Sequence, residues 1–263
     1  MNAQTGIVHL VGAGPGAPDL LTVRAARLLA RADVVFYDAL VHPETLALAE
    51  RAEKIAVGKR CGKHSTLQRF INKRLIDAAR KHAVVVRLKG GDPMLFGRAQ
   101  EEIDALQAAG IQCEVVPGVT AALAASADLK ISLTRRGMSR NVTFVTPRVG
   151  AGEDASDWIR SACDADTAVL YMAAGQAASI ASTLIDHGLP ADMPVLIVEN
   201  ASLPQMTTLA TTLDALRSIS ERTTHGGPAL LMIGRVFQRE LDAQDAMSVD
   251  DAVRELLAIP LSA

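Results

Sequence analysis

Aromatic residues are scarce in this chain of 263 residues: five Phe, two Tyr and one Trp, 3% of the total. An excess of charge of either sign is lacking as well, since 27 Lys+Arg stand against 29 Asp+Glu, a formal net charge of −2. Together these absences exclude a nucleic-acid binder built on a strongly basic surface with aromatic stacking platforms. Cysteine is limited to Cys61, Cys113 and Cys163, odd in number and without a C-x-x-C pair. That excludes a disulfide framework and a zinc knuckle. No apolar run approaches the roughly 18 residues that a membrane-spanning helix needs. The opening MNAQTGIVHLVG lacks the basic-then-apolar build of a signal peptide, so a soluble protein of the reducing cytoplasm is expected. Apolar residues, by contrast, make up 49%, too many at this net charge for a disordered chain.

Short β-rich runs alternate with helix-period stretches. Ile7–Val11, Val34–Tyr37, Lys54–Val57, Val84–Leu88 and Gln112–Val116 read as strands, and Leu20–Ala30, Thr45–Ala52, Leu67–Lys81 and Ala99–Ala109 as the helices between them. Gly110 stands where a C′ glycine ends the last of these helices. Continuous apolar strands joined by crossover helices predict a parallel sheet covered on both faces. A second group of strands follows, near Asn141–Val145, Thr167–Met172, Val195–Val198, Met206–Ala210 and Ala229–Ile233, with less regular connections and an antiparallel pairing expected at Met206–Ala210. The fold class is therefore α/β in two domains, 1–117 with a mostly parallel sheet and 118–241 with a mixed one. Residues 242–263 read as an amphipathic helix and tail.

The first strand runs into Gly12-Ala13-Gly14-Pro15-Gly16, where glycines let the backbone turn sharply and approach a ligand. With Asp38 at the end of the second strand, Gly12-x-Gly14-x-x-Ala17 fits the looser form of a dinucleotide fingerprint, and hence a nicotinamide-dependent oxidoreductase. Pro15 and Pro18 speak against that fit, because the fingerprint's turn opens directly into a helix and here the helix starts at Asp19 or Thr22. The fourth strand ends in Lys89-Gly90-Gly91-Asp92-Pro93 and the fifth in Pro117-Gly118-Val119-Thr120-Ala121-Ala122. Four unusual turns at the carboxyl ends of one sheet point to a ligand site there. Taken alone, Asp38 also reads as the cap of the following turn and Lys59 as a surface ion-pair partner. Cys61 and His64 have no further histidine or cysteine at ligand spacing, so no metal site is expected.

Gly12–Gly16, Val35-Phe36-Tyr37-Asp38, Val57-Gly58-Lys59-Arg60, Arg87–Arg98, Pro117–Ala122, Leu170-Tyr171-Met172 and Val198-Glu199-Asn200 follow, in order and spacing, the pattern of the tetrapyrrole methylase superfamily, which the chain resembles over about residues 6–240. Within it the chain is similar to the uroporphyrinogen-III C-methyltransferases, without the dehydrogenase and chelatase module of the fused sirohaem synthases. The resemblance implies a homodimer with S-adenosyl-L-methionine folded into a cleft between the domains and S-adenosyl-L-homocysteine as product. It implies transfer of methyl groups to C2 and C7 of uroporphyrinogen III, giving precorrin-2 for sirohaem or cobalamin synthesis. The cofactor contacts it implies fall on Pro15, Gly90, Gly91, Asp92, Leu95, Thr120, Ala121, Met172 and Ala201. The implied proton acceptor is Asp38 and the implied donor Lys59. A rival within the superfamily is a methylase acting on a later corrin intermediate.

The chain departs from the family pattern at Lys130-Ile131-Ser132-Leu133, Thr134-Arg135-Arg136, Thr146-Pro147-Arg148 and Ala201, where Gly-Ile-Pro-Leu, Thr-His-Arg, Thr-Gly-His and Gly are usual. Two of these departures exchange an imidazole for a permanent cation. The near-neutral total also hides a local imbalance. Residues 54–98 carry twelve Lys+Arg and two Asp+Glu, and 134–148 carry four Arg and no acid. Arg69, Lys73, Arg74, Arg80 and Lys81 read as a solvated helix face. Lys59, Arg60, Lys63, Lys89, Arg98, Arg135 and Arg136 are expected beside the cleft, where they would steer a polycarboxylate macrocycle.

Overall fold

A computed structural model describes residues 5–57, 64–148, 157–173, 175–218 and 227–245. The chain forms two compact units, Met1–Ala124 and Ala125–Ala263. The sequence puts the boundary after residue 117; the units divide a little later, inside a helix.

In the first unit the order is β1 (Ile7–Gly12), α1 (Val23–Arg31), β2 (Val34–Tyr37), α2 (Pro43–Ala47), β3 (Glu53–Ala56), α3 (His64–Ala79), β4 (Val84–Lys89), α4 (Ala99–Ala108) and β5 (Cys113–Val116). The strands lie in the order β3-β2-β4-β1-β5, and every pair is parallel. Side chains alternate between the faces of a strand, so a run such as Val34-Val35-Phe36 must find apolar cover on both sides. Val8, Leu10, Val34, Phe36 and Val85 pack with Ile71 and Leu75 of α3 and Leu106 of α4. Val11, Val35, Val86 and Leu88 pack on the opposite face with Ala25, Leu28 and Leu29 of α1. At the edge, β3 exposes Glu53 and Lys54, charges that discourage pairing with a further strand.

Helix starts follow local chemistry. Thr22 caps α1 through Oγ1, which accepts the Ala25 N–H at 3.2 Å, so the helix begins beyond the glycine turn as its prolines require. The helix expected at Thr45–Ala52 forms instead at Pro43–Ala47, because Pro43 takes the first turn, where its missing N–H costs nothing. Gly110 follows α4 at φ +69°, the left-handed position of a helix C′ residue.

Helix α5 (Ala121–Leu129) carries the division between the units. The second unit continues with β6 (Val142–Val145), α6 (Trp158–Cys163), β7 (Thr167–Tyr171), α7 (Ala177–Asp186), β8 (Pro194–Glu199), β9 (Thr207–Thr212), α8 (Leu213–Leu216), β10 (Ala229–Gly234) and α9 (Gln238–Asp245). Its sheet has the order β6-β7-β10-β8-β9 and is mixed: β6 and β7 are parallel, β10 runs antiparallel to β7 and β8, and β9 is antiparallel to β8. Leu170, Val195, Ile197 and Leu231 pack there with Ile180, Leu184, Leu213 and Leu216. The expected terminal helix lies outside the described residues except for its first residues, which end α9. Among the described residues no helix is long and apolar enough to cross a membrane.

Candidate active site

All five strands of the first sheet are parallel, so the turns after β1, β2, β4 and β5 leave from one edge. There the main chains interlock. Ala13 N–H donates to the Lys89 carbonyl at 2.7 Å, Gly91 N–H to the Gly14 carbonyl at 2.7 Å, and Gly14 N–H to the Gly91 carbonyl at 3.2 Å. A side chain at Gly118 would put its Cβ 2.3 Å from the Gly91 carbonyl oxygen, and one at Gly12 would lie 2.6 Å from Gly118. Glycine is therefore a steric requirement where these turns cross. Gly91 differs. Its φ is +66°, and nothing lies within 4 Å of where a side chain would stand, so a ligand can close directly on the main chain.

Two carboxylates pin the turns together. Asp38 accepts the Gly90 N–H on Oδ2 at 3.3 Å and the Leu40 N–H on Oδ1 at 3.0 Å. Asp92 accepts the Met94 N–H on Oδ1 at 2.8 Å and the Gly118 N–H on Oδ2 at 2.9 Å. Asp38 thus caps its own turn and, in addition, ties the end of β2 to the loop after β4. Each carboxylate oxygen keeps capacity for a second hydrogen bond, so both acids can also meet a ligand.

Pro15, Gly90, Gly91, Asp92 and Leu95 all lie in these turns, with Thr120 and Ala121 at the start of α5. Met172 and Ala201 belong to the second unit, where they share an edge of that sheet. Met172 follows β7 and Ala201 follows β8, on either side of β10. Met172 is 42% exposed and left-handed at φ +55°, and Asn200 and Ser202 are left-handed at +52° and +69°. Asn accepts this region readily, but in Met172 and Ser202 such backbone is strained, and strain of this kind gathers at functional sites. The Asn200 N–H donates to the Pro228 carbonyl at 3.1 Å, and the Ser202 N–H to Asp128 Oδ2 at 3.0 Å, which fixes the turn around Ala201. Thr146-Pro147-Arg148 leaves β6 at this same edge, its Arg148 N–H bonded to Thr146 Oγ1 at 3.2 Å.

Lys59, Arg60, Cys61 and Lys63 lie outside the described residues. Arg98 ends the loop after β4, on the edge that carries Gly90–Asp92, whereas Lys89 is drawn inside the first unit. Arg87 and Lys89 point from β4 toward α3 and α4, where the Arg87 Nε and Lys89 Nζ each donate to Glu102 at 3.1 Å and Gln68 Nε2 adds a bond at 3.2 Å. Glu102 is fully buried there. Burial, and then the neighbouring Arg87 guanidinium, hold the Lys89 ammonium below the ordinary lysine range, with Glu102 opposing. Arg98 is paired with Glu101. Arg135 and Arg136 stand in a turn closed between Arg135 and Ser139, and Ser139 Oγ meets Thr167 Oγ1 at 2.9 Å. Thr167 opens β7 whereas Met172 follows its end, so that turn lies at the opposite edge of the second sheet, about 17 Å away along the strand.

Sequence reasoning missed Glu102. It stands on the apolar stripe of α4 with Ala99 and Leu106, where an acid signals a buried cationic partner. Burial pushes the Cys113 thiol up to about 11 and raises that of Cys163, the direction that disfavours a thiolate. No group of His, Cys, Asp and Glu suited to a metal occurs among the described residues.

The sequence pattern of the tetrapyrrole (corrin/porphyrin) methylases matches residues 8–217. The chain belongs to that family. It is 43% identical to a uroporphyrinogen-III C-methyltransferase of Paracoccus denitrificans, over 89% of this chain and 82% of that one. It is 44% identical to a siroheme synthase of Zymomonas mobilis, over 94% of this chain and 54% of that one. The chain spans about half the length of the siroheme synthases it matches. Among solved structures, the uroporphyrin-III C-methyltransferase of Thermus thermophilus complexed with S-adenosylhomocysteine superposes with a TM-score of 0.77 at 40% identity, covering 89% of this chain and 99% of that one.

Proposed function

We propose that this chain transfers methyl groups from S-adenosyl-L-methionine to C2 and C7 of uroporphyrinogen III, giving precorrin-2 and S-adenosyl-L-homocysteine. The enzyme would act as a homodimer in the cytoplasm and feed sirohaem or cobalamin synthesis. The observation that carries the proposal is the interlocked edge of the first sheet, with bare backbone at Gly91 between the pinned carboxylates Asp38 and Asp92. The family's cofactor-contact positions Pro15, Gly90, Gly91, Asp92, Leu95, Thr120 and Ala121 fall on that edge, and Met172 and Ala201 on one edge of the other sheet. The bound S-adenosylhomocysteine of the Thermus relative points to the same class of ligand. The dinucleotide alternative has no comparable support, because the glycine turn leads to a 3₁₀ turn at Pro18–Leu20 and α1 begins only at Val23.

The methyl donor supplies an electrophilic methyl on a sulfonium, and the displacement depends on the alignment of donor and carbon. The protein's part is positioning. Gly90 and Gly91 offer main chain at close range, and Asp92 places a carboxylate where it offsets the sulfonium charge. Asp38 has its orientation fixed by two backbone N–H groups and serves as acceptor for the proton that leaves the methylated ring. Lys59, outside the described residues, is the proton donor.

Two measurements test this. Calorimetry is expected to show S-adenosylhomocysteine binding and NAD not binding. Anaerobic incubation with uroporphyrinogen III and S-adenosylmethionine is expected to give a product heavier by two methyl groups. Binding of NAD in place of S-adenosylhomocysteine, or no gain in mass, would refute the proposal; a single methyl would refute the two-step assignment.

A further inference from the structure

The loop between β4 and α4 is apolar where a loop is usually polar. Its tip is Met94-Leu95-Phe96, with Met94 56% and Phe96 39% exposed, and on the neighbouring turn after β2 Leu40 is 60% exposed. These are three of the large apolar side chains that the described residues leave in solvent, and all three stand on the edge that carries Gly90–Asp92. Leu40 lies directly over Gly90: a Cβ built on that glycine would meet the Leu40 Cβ at 2.7 Å.

The tip is held out at a conformational cost. Phe96 and Arg98 are both left-handed, at φ +52° and +54°, a region that a bulky side chain avoids. Between them Gly97 folds back until a side chain there would strike the Pro93 carbonyl at 2.5 Å. The base of the loop is fixed by Asp92 bonding both Met94 and Gly118, and its far end by the Arg98–Glu101 pair. A rigid, strained loop displaying apolar side chains beside a ligand-binding edge is the arrangement of a contact surface.

From this we infer that Leu40, Met94 and Phe96 bear on the apolar ring face of the tetrapyrrole and set the affinity for it, without a share in binding the methyl donor. The inference rests on the methyltransferase reading. Its occupant follows from continuity: the residues flanking the tip, Gly90–Asp92 below and Leu95 within, are those assigned to the donor. A molecule lying on the tip therefore adjoins the residues assigned to the donor. A macrocycle whose pyrrole rings are apolar and whose acids sit on side arms meets such a surface with its rings. Polar arms would instead seek the cations of the molecule.

The test uses Met94→Gln and Leu40→Gln, which put polar amides on exposed positions of separate loops, and Phe96→Asn, since Asn tolerates the left-handed region. Each variant is assayed with uroporphyrinogen III and S-adenosylmethionine and titrated with S-adenosylhomocysteine, alongside a melting curve. The expected result is a KM for uroporphyrinogen III raised about tenfold in the Met94→Gln/Leu40→Gln pair, with the S-adenosylhomocysteine Kd and the Tm unchanged. An unchanged KM in all variants overturns the inference, and so does a parallel loss of S-adenosylhomocysteine affinity, which would make Leu40, Met94 and Phe96 part of the donor site. A wild-type chain that yields no methylated product defeats the methyltransferase reading instead, a different outcome from an active wild type with indifferent variants.

Discussion

Asp38 joins two roles that the sequence presents as alternatives. As a strand-end acid it was readable as a cap or as a base, and the bond from Leu40 N–H two residues on is the cap. The second bond, from Gly90 N–H, comes from 52 residues away and has no local signature. It makes the proposed base also the fastener of the donor loop. Asn at this position keeps one acceptor for Leu40 but turns an amide N–H₂ toward the Gly90 N–H, two donors face to face. Asp38→Asn is therefore expected to lower turnover by about 100-fold or more, the usual share of a general base. Its S-adenosylhomocysteine affinity should fall by no more than about tenfold, the value of one hydrogen bond. Single-turnover rates and calorimetry measure the two quantities; turnover within about threefold of wild type would show that Asp38 is a fastener alone.

Most of the elements could be read from the sequence because alternation and helix period act locally, and the antiparallel pairing of β9 was visible in the short turn before Thr207. What could not be read is where the charged members of an element go. On β4, Arg87 and Lys89 share a face with the buried Val85, and only the fold reveals that α4 supplies Glu102 opposite them. This cluster also ties the donor loop at both ends: Lys89 is the residue before Gly90, and Glu102 is in the first turn of the helix that follows. Glu102→Gln leaves two buried cations with a neutral partner, a loss of about 3–5 kcal/mol for a broken buried pair. For a chain of this size the Tm is expected to fall by roughly 10 °C, with a weaker affinity for S-adenosylhomocysteine. Adding Lys89→Met, which removes the uncompensated ammonium, should recover part of the Tm. Differential scanning calorimetry checks both variants; a Tm for Glu102→Gln within about 2 °C of wild type would show that the cluster does not hold the loop.

Over the whole molecule, the sequence revealed a basic excess in residues 54–98 and 134–148 but not its distribution. Folding consumes much of it. Lys73 and Arg80 pair with Asp77, Arg87 and Lys89 with Glu102, and Arg98 with Glu101, while Arg74 lies over the Phe36 and Phe70 rings. Among the described residues, fewer cations are therefore left to steer the proposed polycarboxylate substrate than the sequence counts. Arg148 leaves its sheet beside Met172 and Ala201, whereas Arg135 and Arg136 are anchored at the other end of the same strands through Ser139, Thr167 and the Leu133 carbonyl. The turn that carries Arg135 and Arg136 lies about 17 Å along the strand from the Met172 end of its own sheet, about twice the Debye length of about 8 Å at physiological salt. The double variant Arg135→Gln/Arg136→Gln is accordingly expected to keep kcat/KM for uroporphyrinogen III within about twofold and to leave its dependence on ionic strength unaltered. Arg148→Gln, at the edge of the second sheet that carries Met172 and Ala201, should lower kcat/KM several-fold and flatten that dependence. Steady-state rates between low and physiological salt decide between them, and a steep loss in the Arg135/Arg136 variant would mean that this turn reaches the substrate after all.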